Sequence, residues 1–299
     1  MLGLNQQMLA KPLVSDRLTA WHVLAAAILG ALGVLVTWDA WVDIFQYAFH
    51  DEEAQHIFLV LPIAAWMVWV RRMRFRHCRP SGTIIGPVIL AFGWWLSSHG
   101  FNHGRTVFWH LGSLLVVLGC LFSVLGKNVL FRFIPAVAVL VFIVPIPGTV
   151  RQSIALPLEH WTARIAQGVL DVMGVQTELS GNLVRINSHD VTIAEACNGM
   201  RMVLPLFLIM YLFTFGLPLR NSVRFFVLMM SPLIALICNL IRTLPLIWLY
   251  GYGPKRLADG VHIYGGWLML PIPFLLLLGI IRLLKWAMLP VTRYTLAAQ

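Results

Sequence analysis

MVLPLFLIMYLFTFGLPLRNSVRFFVLMMSPLIALICNLIRTLPLIWLYGYGP, residues 202–254, is the stretch whose reading decides the fold class. Two charge-free apolar runs, 202–219 and 225–241, are parted by Arg220 and Arg224. The second resumes after a single Arg242 and continues to Pro254. A bilayer core of about 30 Å takes roughly 20 apolar residues of helix at 1.5 Å each, so these two runs predict two membrane spans. Working outward, similar runs lie at 18–38, 54–70, 84–98, 107–126, 133–150 and 263–281. Several carry proline (Pro62, Pro87, Pro135, Pro205, Pro232, Pro245, Pro271, Pro273). Membrane helices tolerate proline because neighbours re-satisfy the freed carbonyls.

Composition agrees. Of 299 residues, 59% are apolar and 11% charged, with a mean hydropathy of +0.81. Soluble domains average about 45–50% apolar and roughly 25% charged. A soluble enzyme, a disordered chain and a disulfide-stapled secreted domain are thereby excluded. The first twenty residues are mixed and the run after them is long enough to span, so no cleavable signal peptide is expected. The expected fold is all-α and polytopic, about eight transmembrane helices in a single integral membrane domain over 1–299.

The net charge of +10 has to be judged by where the bases lie. With the N-terminus inside, cytoplasmic segments hold Lys11, Arg17, Arg71, Arg72, Arg74, Arg76, Arg79, Lys127, Arg132, Arg220, Arg224, Arg282, Lys285 and Arg293. Outer segments hold Arg105, Arg151, Arg164, Arg185, Lys255 and Arg256, and the first outer loop (39–56) is acidic and without a base. That asymmetry predicts N-in, C-in. It reads as a charge signal at the membrane surface, with lipid as partner and no nucleic acid.

One segment is not a span. Residues 147–196 leave the fifth span through Pro145-Ile146-Pro147-Gly148 and run as an amphipathic stretch from Val150 to Met173. Three short strand-like passages follow (Val175–Leu179, Leu183–Asn187, Val191–Ile193), parted by turns at Ser180-Gly181-Asn182 and Ser188-His189-Asp190. This predicts an extracytoplasmic insertion, an amphipathic helix plus a small outward-facing β meander, between helices five and six.

Function is sought where a polar side chain is costly. Of four cysteines, Cys78 lies in a basic loop and Cys120 and Cys238 lie within spans, where Cys behaves as a small hydrophobe. Cys197 alone falls on the outer side, at the start of the sixth helix. There the unsatisfied N–H groups favour a thiolate; a packing cysteine at a helix start would look the same from position alone. Arg242 lies about 27 Å along a helix entered at Arg224, near the outer edge of the hydrocarbon, with Asn239 and Thr243 beside it; a snorkelling arginine is the plainer alternative. His262 precedes the eighth span and is weak evidence by itself. Arg201, one turn from Cys197, is placed either to bind substrate charge or to pair with Glu195 or Glu178. The coincidence is what counts: topology puts thiol, guanidinium and imidazole at the outer ends of helices six, seven and eight. Cysteine acyl transfer asks for these groups, a proton shuttle for thiolate and leaving amine and a donor for the oxyanion.

At these residues the chain resembles the exosortases. The resemblance is carried by Gly181-Asn182, by Ala194-Glu195-Ala196-Cys197-Asn198-Gly199-Met200-Arg201, by Asn239-Leu240-Ile241-Arg242, and by His262 ahead of Gly265. The family pattern is Glu-x-Cys-Ser-Gly, then Asn-x-x-Arg, then His. Asn198 departs from it, standing where the family usually has Ser. The resemblance implies Cys197 as nucleophile, with Arg242 and His262 completing a triad; Arg201, Glu195 and Asn239 are the candidate substrate-binding residues beside it. It further implies a bacterial inner-membrane cysteine protease or transpeptidase with its site at the periplasmic face. Its partners would be exported proteins with a C-terminal sorting signal: a Pro-Glu-Pro-like motif, one transmembrane helix and a basic tail. The acyl acceptor is left open between water and an amine, and no cofactor or metal is expected.

Two other classes compete. A non-enzymatic exopolysaccharide-export transporter would place polar groups along a path near mid-bilayer, whereas here they gather at one interface. An assembly scaffold would explain the meander but gives no reason for Cys197, Arg242 and His262 to converge. A metal hydrolase finds only His189-Asp190 and Asp259-x-x-His262, with no HExxH-like pair. Cys238, one turn inside Arg242, is the fallback thiol.

Overall fold

A computed structural model describes residues 19–78, 84–181, 183–187, 189–192, 199–268 and 271–286. In chain order the helices are α1 (Ala20–Val36), α2 (Trp38–His50), α3 (Ile57–Val70), α4 (Ile85–Asn102), α5 (Thr106–Leu125), α6 (Lys127–Arg132), α7 (Ile134–Val139) and α8 (Gly148–Val172). Then come β1 (Thr177–Ser180), β2 (Leu183–Ile186) and β3 (His189–Thr192), followed by α9 (Gly199–Gly216), α10 (Asn221–Tyr252), α11 (Lys255–Leu268) and α12 (Pro271–Trp286). The chain divides into two compact units, one of residues 1–42 and 68–141, the other of 43–67 and 142–299.

In the first unit α4 and α5 pack as an antiparallel pair whose closeness is written in glycine. Gly86, Gly93 and Gly100 recur every seven residues on α4, and Gly112 and Gly119 do so on α5. A Cβ on Gly86 would meet the backbone nitrogen of Ser123 at 2.3 Å, on Gly100 that of Trp109 at 2.3 Å, and on Gly112 that of Ser97 at 2.3 Å. No other residue type permits this approach. Between apolar helices in lipid, close backbone packing replaces the missing hydrophobic drive. Ser97 and Ser113 add a buried hydrogen bond of 3.1 Å across the seam. Helix α1 lies on α5 in the same manner, with Gly33 against Cys120 and Val117.

In the second unit the organising element is α10. At 32 residues it is about 48 Å long, well beyond a bilayer core. Its buried face divides in two. Val223, Val227, Ile234, Ala235 and Cys238 pack with Leu206 and Met210 of α9 and with Leu277 and Ile281 of α12. Beyond them, Leu246 and Ile247 pack with Ala163, Ala166 and Leu170 of α8 and with Val184 and Ile186 of β2. The opposite face exposes Phe225, Met229, Leu233, Ile237 and Ile241 at four-residue intervals, an apolar stripe that suits lipid rather than water. The three strands form an antiparallel meander, β1-β2-β3, with Glu178 opposite Arg185 and Val184 opposite Val191. β2 seats on α10, where Asn187 Nδ2 donates to the Gly251 carbonyl at 3.0 Å.

The amphipathic stretch expected from Val150 to Met173 is α8, and the three expected strands match β1 to β3 within about two residues. The structure departs from expectation elsewhere. Most of the 39–56 loop is helix α2, bent away from α1 by 78°. Its buried residues Trp41, Ile44 and Ala48 have the three-to-four spacing that length and acidity concealed. The 133–150 run is broken, α7 passing through a 3-10 turn at Leu140–Ile143 before α8. The 263–281 run is shared by α11 and α12, which Pro271 opens. Among the described residues, α5 and α10 are long and apolar enough to cross a membrane, and two bent pairs would bring the number to four.

Candidate active site

The Asn-x-x-Arg motif lies where the two apolar clusters of α10 meet. Cys238 closes the first cluster and Leu246 opens the second; between them Asn239, Arg242 and Thr243 form a polar turn, all buried. The three sit at i, i+3 and i+4, on one helix face. From Asn221 to Arg242 the helix rises about 32 Å, close to one bilayer thickness. Arg242 thus lies about one bilayer thickness along α10 from its start, between the cluster shared with α9 and α12 and the cluster shared with α8 and β2.

Asn239 is held from across the helix pair. Its Nδ2 donates to Thr162 Oγ1 at 3.2 Å, and the Thr162 hydroxyl donates to the Leu158 carbonyl on α8 at 2.8 Å. Asn239 Oδ1 is buried with no hydrogen-bond partner among the described residues. A buried amide oxygen left without any partner costs about 1–3 kcal/mol. Two prolines each free a helical carbonyl. Lacking an N–H, Pro245 withdraws the helical donor from the Ile241 carbonyl, and Pro205 does the same to that of Arg201.

The other motif residues are placed as follows. His262 falls inside α11, in place of the loop expected ahead of the eighth span. That helix turns back at Gly253-Pro254, so that Val261 packs against the Leu246–Ile247 cluster and Asp259 accepts from the Tyr250 hydroxyl at 3.1 Å. Arg201 is in the first turn of α9, which begins at Gly199. Cys197 and Glu195 lie outside the described residues. Glu178, one of the partners weighed for Arg201, meets Arg185 across the strand pair at 3.5 Å. Cys238, the fallback thiol, is fully buried among apolar side chains.

A cluster absent from the sequence reading anchors α8. Arg151 pairs with Asp51 at 2.8 Å and Glu53 at 2.7 Å and donates to the Tyr47 hydroxyl at 3.3 Å. Burial alone would raise the Asp51 pKa; the Arg151 guanidinium, the Tyr47 hydroxyl and the Glu53 N–H outweigh it and hold Asp51 below the ordinary carboxylate range. The signal available in the sequence was an acidic stretch at 39–56 without a base of its own, assigned to the same side as Arg151. A cavity in the first unit, lined by Thr37, Asp39, Trp94, Ser98, Phe101 and Trp109 among others, takes in none of the motif residues.

No curated protein and no solved structure matched the chain. The model of the transmembrane exosortase family matches residues 41–279, a region that holds α3 to α11 whole and every motif residue described above. The chain belongs to the transmembrane exosortase family.

Proposed function

We propose that this protein is a membrane cysteine protease or transpeptidase that cleaves C-terminal sorting signals through a thioester on Cys197. The observation that carries the reading is the buried Asn239–Arg242 turn between the two clusters of α10. It is costly to keep, it sits at the depth of a membrane interface, and it belongs to a chain of this family. In the reaction the Cys197 thiolate attacks the scissile carbonyl carbon, and Arg242 donates to the resulting oxyanion. His262 takes up the thiol proton and returns it to the departing amine. Water or an amine then opens the thioester and frees Cys197. Arg201, Glu195 and Asn239 contact the substrate.

The membrane arrangement that goes with this chemistry has about eight spans, N-in and C-in, in the bacterial inner membrane with the site at the periplasmic face. Two contacts are in keeping with it. Asp51 and Arg151, assigned to the same side by charge counting, pair in the second unit. Arg74 and Arg132, both assigned to the other side, meet in the first, where Arg74 Nη1 donates to the Arg132 carbonyl at 3.2 Å. The substrate would be an exported protein with a Pro-Glu-Pro-like motif ahead of one transmembrane helix and a basic tail, which places the motif at the Arg242 level.

A membrane-anchored reporter with such a tail tests the proposal. Its intact mass is followed in cells with the wild-type protein, with Cys197→Ala and with neither. Shortening only with wild type supports the proposal, and the new C-terminus distinguishes hydrolysis from conjugation. Equal shortening with a correctly inserted Cys197→Ala protein would refute the assignment of the nucleophile.

A further inference from the structure

Between Glu53 and Glu159 the chain has no Asp or Glu. Within that interval the first unit gathers a set of exposed bases from two segments: Arg72 and Arg74 in the 3-10 turn after α3, and Lys127 and Arg132 at the two ends of α6. The segments are fixed to each other. Phe75 stacks on the buried Phe133 with ring centroids 4.4 Å apart, Arg74 Nη1 donates to the Arg132 carbonyl, and Cys78 Sγ donates to the Arg74 carbonyl at 3.4 Å. Among the described residues of this unit the only carboxylate is Asp39. It shares a cavity with Trp109 at the far end of α5, about 24 Å along the helix from Leu125. Attraction over that distance is screened out at physiological salt. No carboxylate among the described residues of this unit therefore serves these bases as a counter-charge.

The surroundings indicate what would. The Arg72 guanidinium lies over the Trp69 ring, 4.1 Å from its centroid. Trp69, Met73 and Phe131 are more than half exposed beside the bases. Bases interleaved with exposed apolar side chains at the ends of apolar helices suit a ligand that is anionic at one end and hydrocarbon at the other. The geometry points to a binding site for the phosphodiester headgroup of an anionic phospholipid, held by Arg72, Arg74, Lys127 and Arg132 with its acyl chains along Trp69, Met73 and Phe131. The clamped backbone lowers the ordering cost of binding. This site is separate from the Asn239–Arg242 turn and does not depend on the proposed reaction.

The test is lipid retention by the full-length protein, read by native mass spectrometry from detergent micelles doped with phosphatidylglycerol or phosphatidylcholine. Wild type is expected to retain phosphatidylglycerol preferentially. Arg74→Gln/Arg132→Gln is expected to weaken that retention about fivefold per charge, equivalent to ~1 kcal/mol for each base. Arg74→Lys/Arg132→Lys, which keeps the charge, retains the lipid and shows that the fold survives changes there. Arg105→Gln, at the other end of the α4–α5 pair, changes nothing. Equal retention of both lipids, or equal loss in Arg105→Gln, would overturn the site. Displacement of phosphatidylglycerol by 10 mM inorganic phosphate would also overturn it, marking a site for the free anion.

Discussion

Asn239 separates a structural from a functional account of the polar turn. Replacing it with leucine removes one neutral hydrogen bond to Thr162, worth about 0.5–1.5 kcal/mol, and also removes a buried oxygen that has no partner among the described residues, a group that costs about 1–3 kcal/mol when left unpaired. Asn239→Leu is therefore expected to keep the thermal midpoint within a few degrees while reporter processing falls at least tenfold. Normal processing would make the residue a packing element. Arg242→Lys keeps the charge but loses the planar fork; if the guanidinium holds the oxyanion, the rate of shortening in a single-turnover assay should fall by about 10²–10³. These residues were legible in the sequence because a polar residue in an apolar run is conspicuous. The pairing of Asn239 with Thr162 was not, since nothing local in either helix indicates that they cross.

At the scale of elements, the heptad glycines of α4 and α5 set how near the two helices lie. Gly93→Leu places a side chain where even a Cβ meets the Val116 nitrogen at 2.7 Å, and should cost on the order of 1–3 kcal/mol or more. Gly168→Ala, in open space within α8, should be neutral or stabilising by a few tenths to about 1 kcal/mol. Thermal melts of the solubilised variants compare the two. The Asp51–Arg151 clamp carries a pH dependence. Because the folded-state pKa of Asp51 lies below its usual 3.8, its stabilisation is present above that value and is lost as pH falls through the folded pKa. Melting temperature should therefore drop below about pH 4, and Asp51→Asn should flatten that drop. The meander was readable from its Gly and Asn turns and β-branched alternation. Helix α2 was hidden because its acidic residues read as a loop, and the break within 263–281 because hydropathy is blind to where a continuous apolar run turns.

For the molecule as a whole, the eight apolar runs were legible as composition. How many of them cross the bilayer is a matter of helix breaks and packing that no single run encodes. The N-in, C-in arrangement is checked by labelling whole cells with a membrane-impermeant maleimide. In a Cys78→Ser/Cys197→Ala background, which removes the native thiols placed outside the spans, Arg105→Cys and Arg185→Cys should react directly, and Lys127→Cys only after the membrane is opened; the reverse pattern would invert the topology and the site with it. The central claim is a thioester on Cys197, and the most direct measurement is intact-mass analysis of the protein trapped with the sorting-signal reporter. The account predicts an added mass equal to the truncated reporter less one water, released by hydroxylamine and absent from Cys197→Ala. Shortened reporter with no adduct on the wild-type protein, or an adduct that persists in Cys197→Ala, would contradict it.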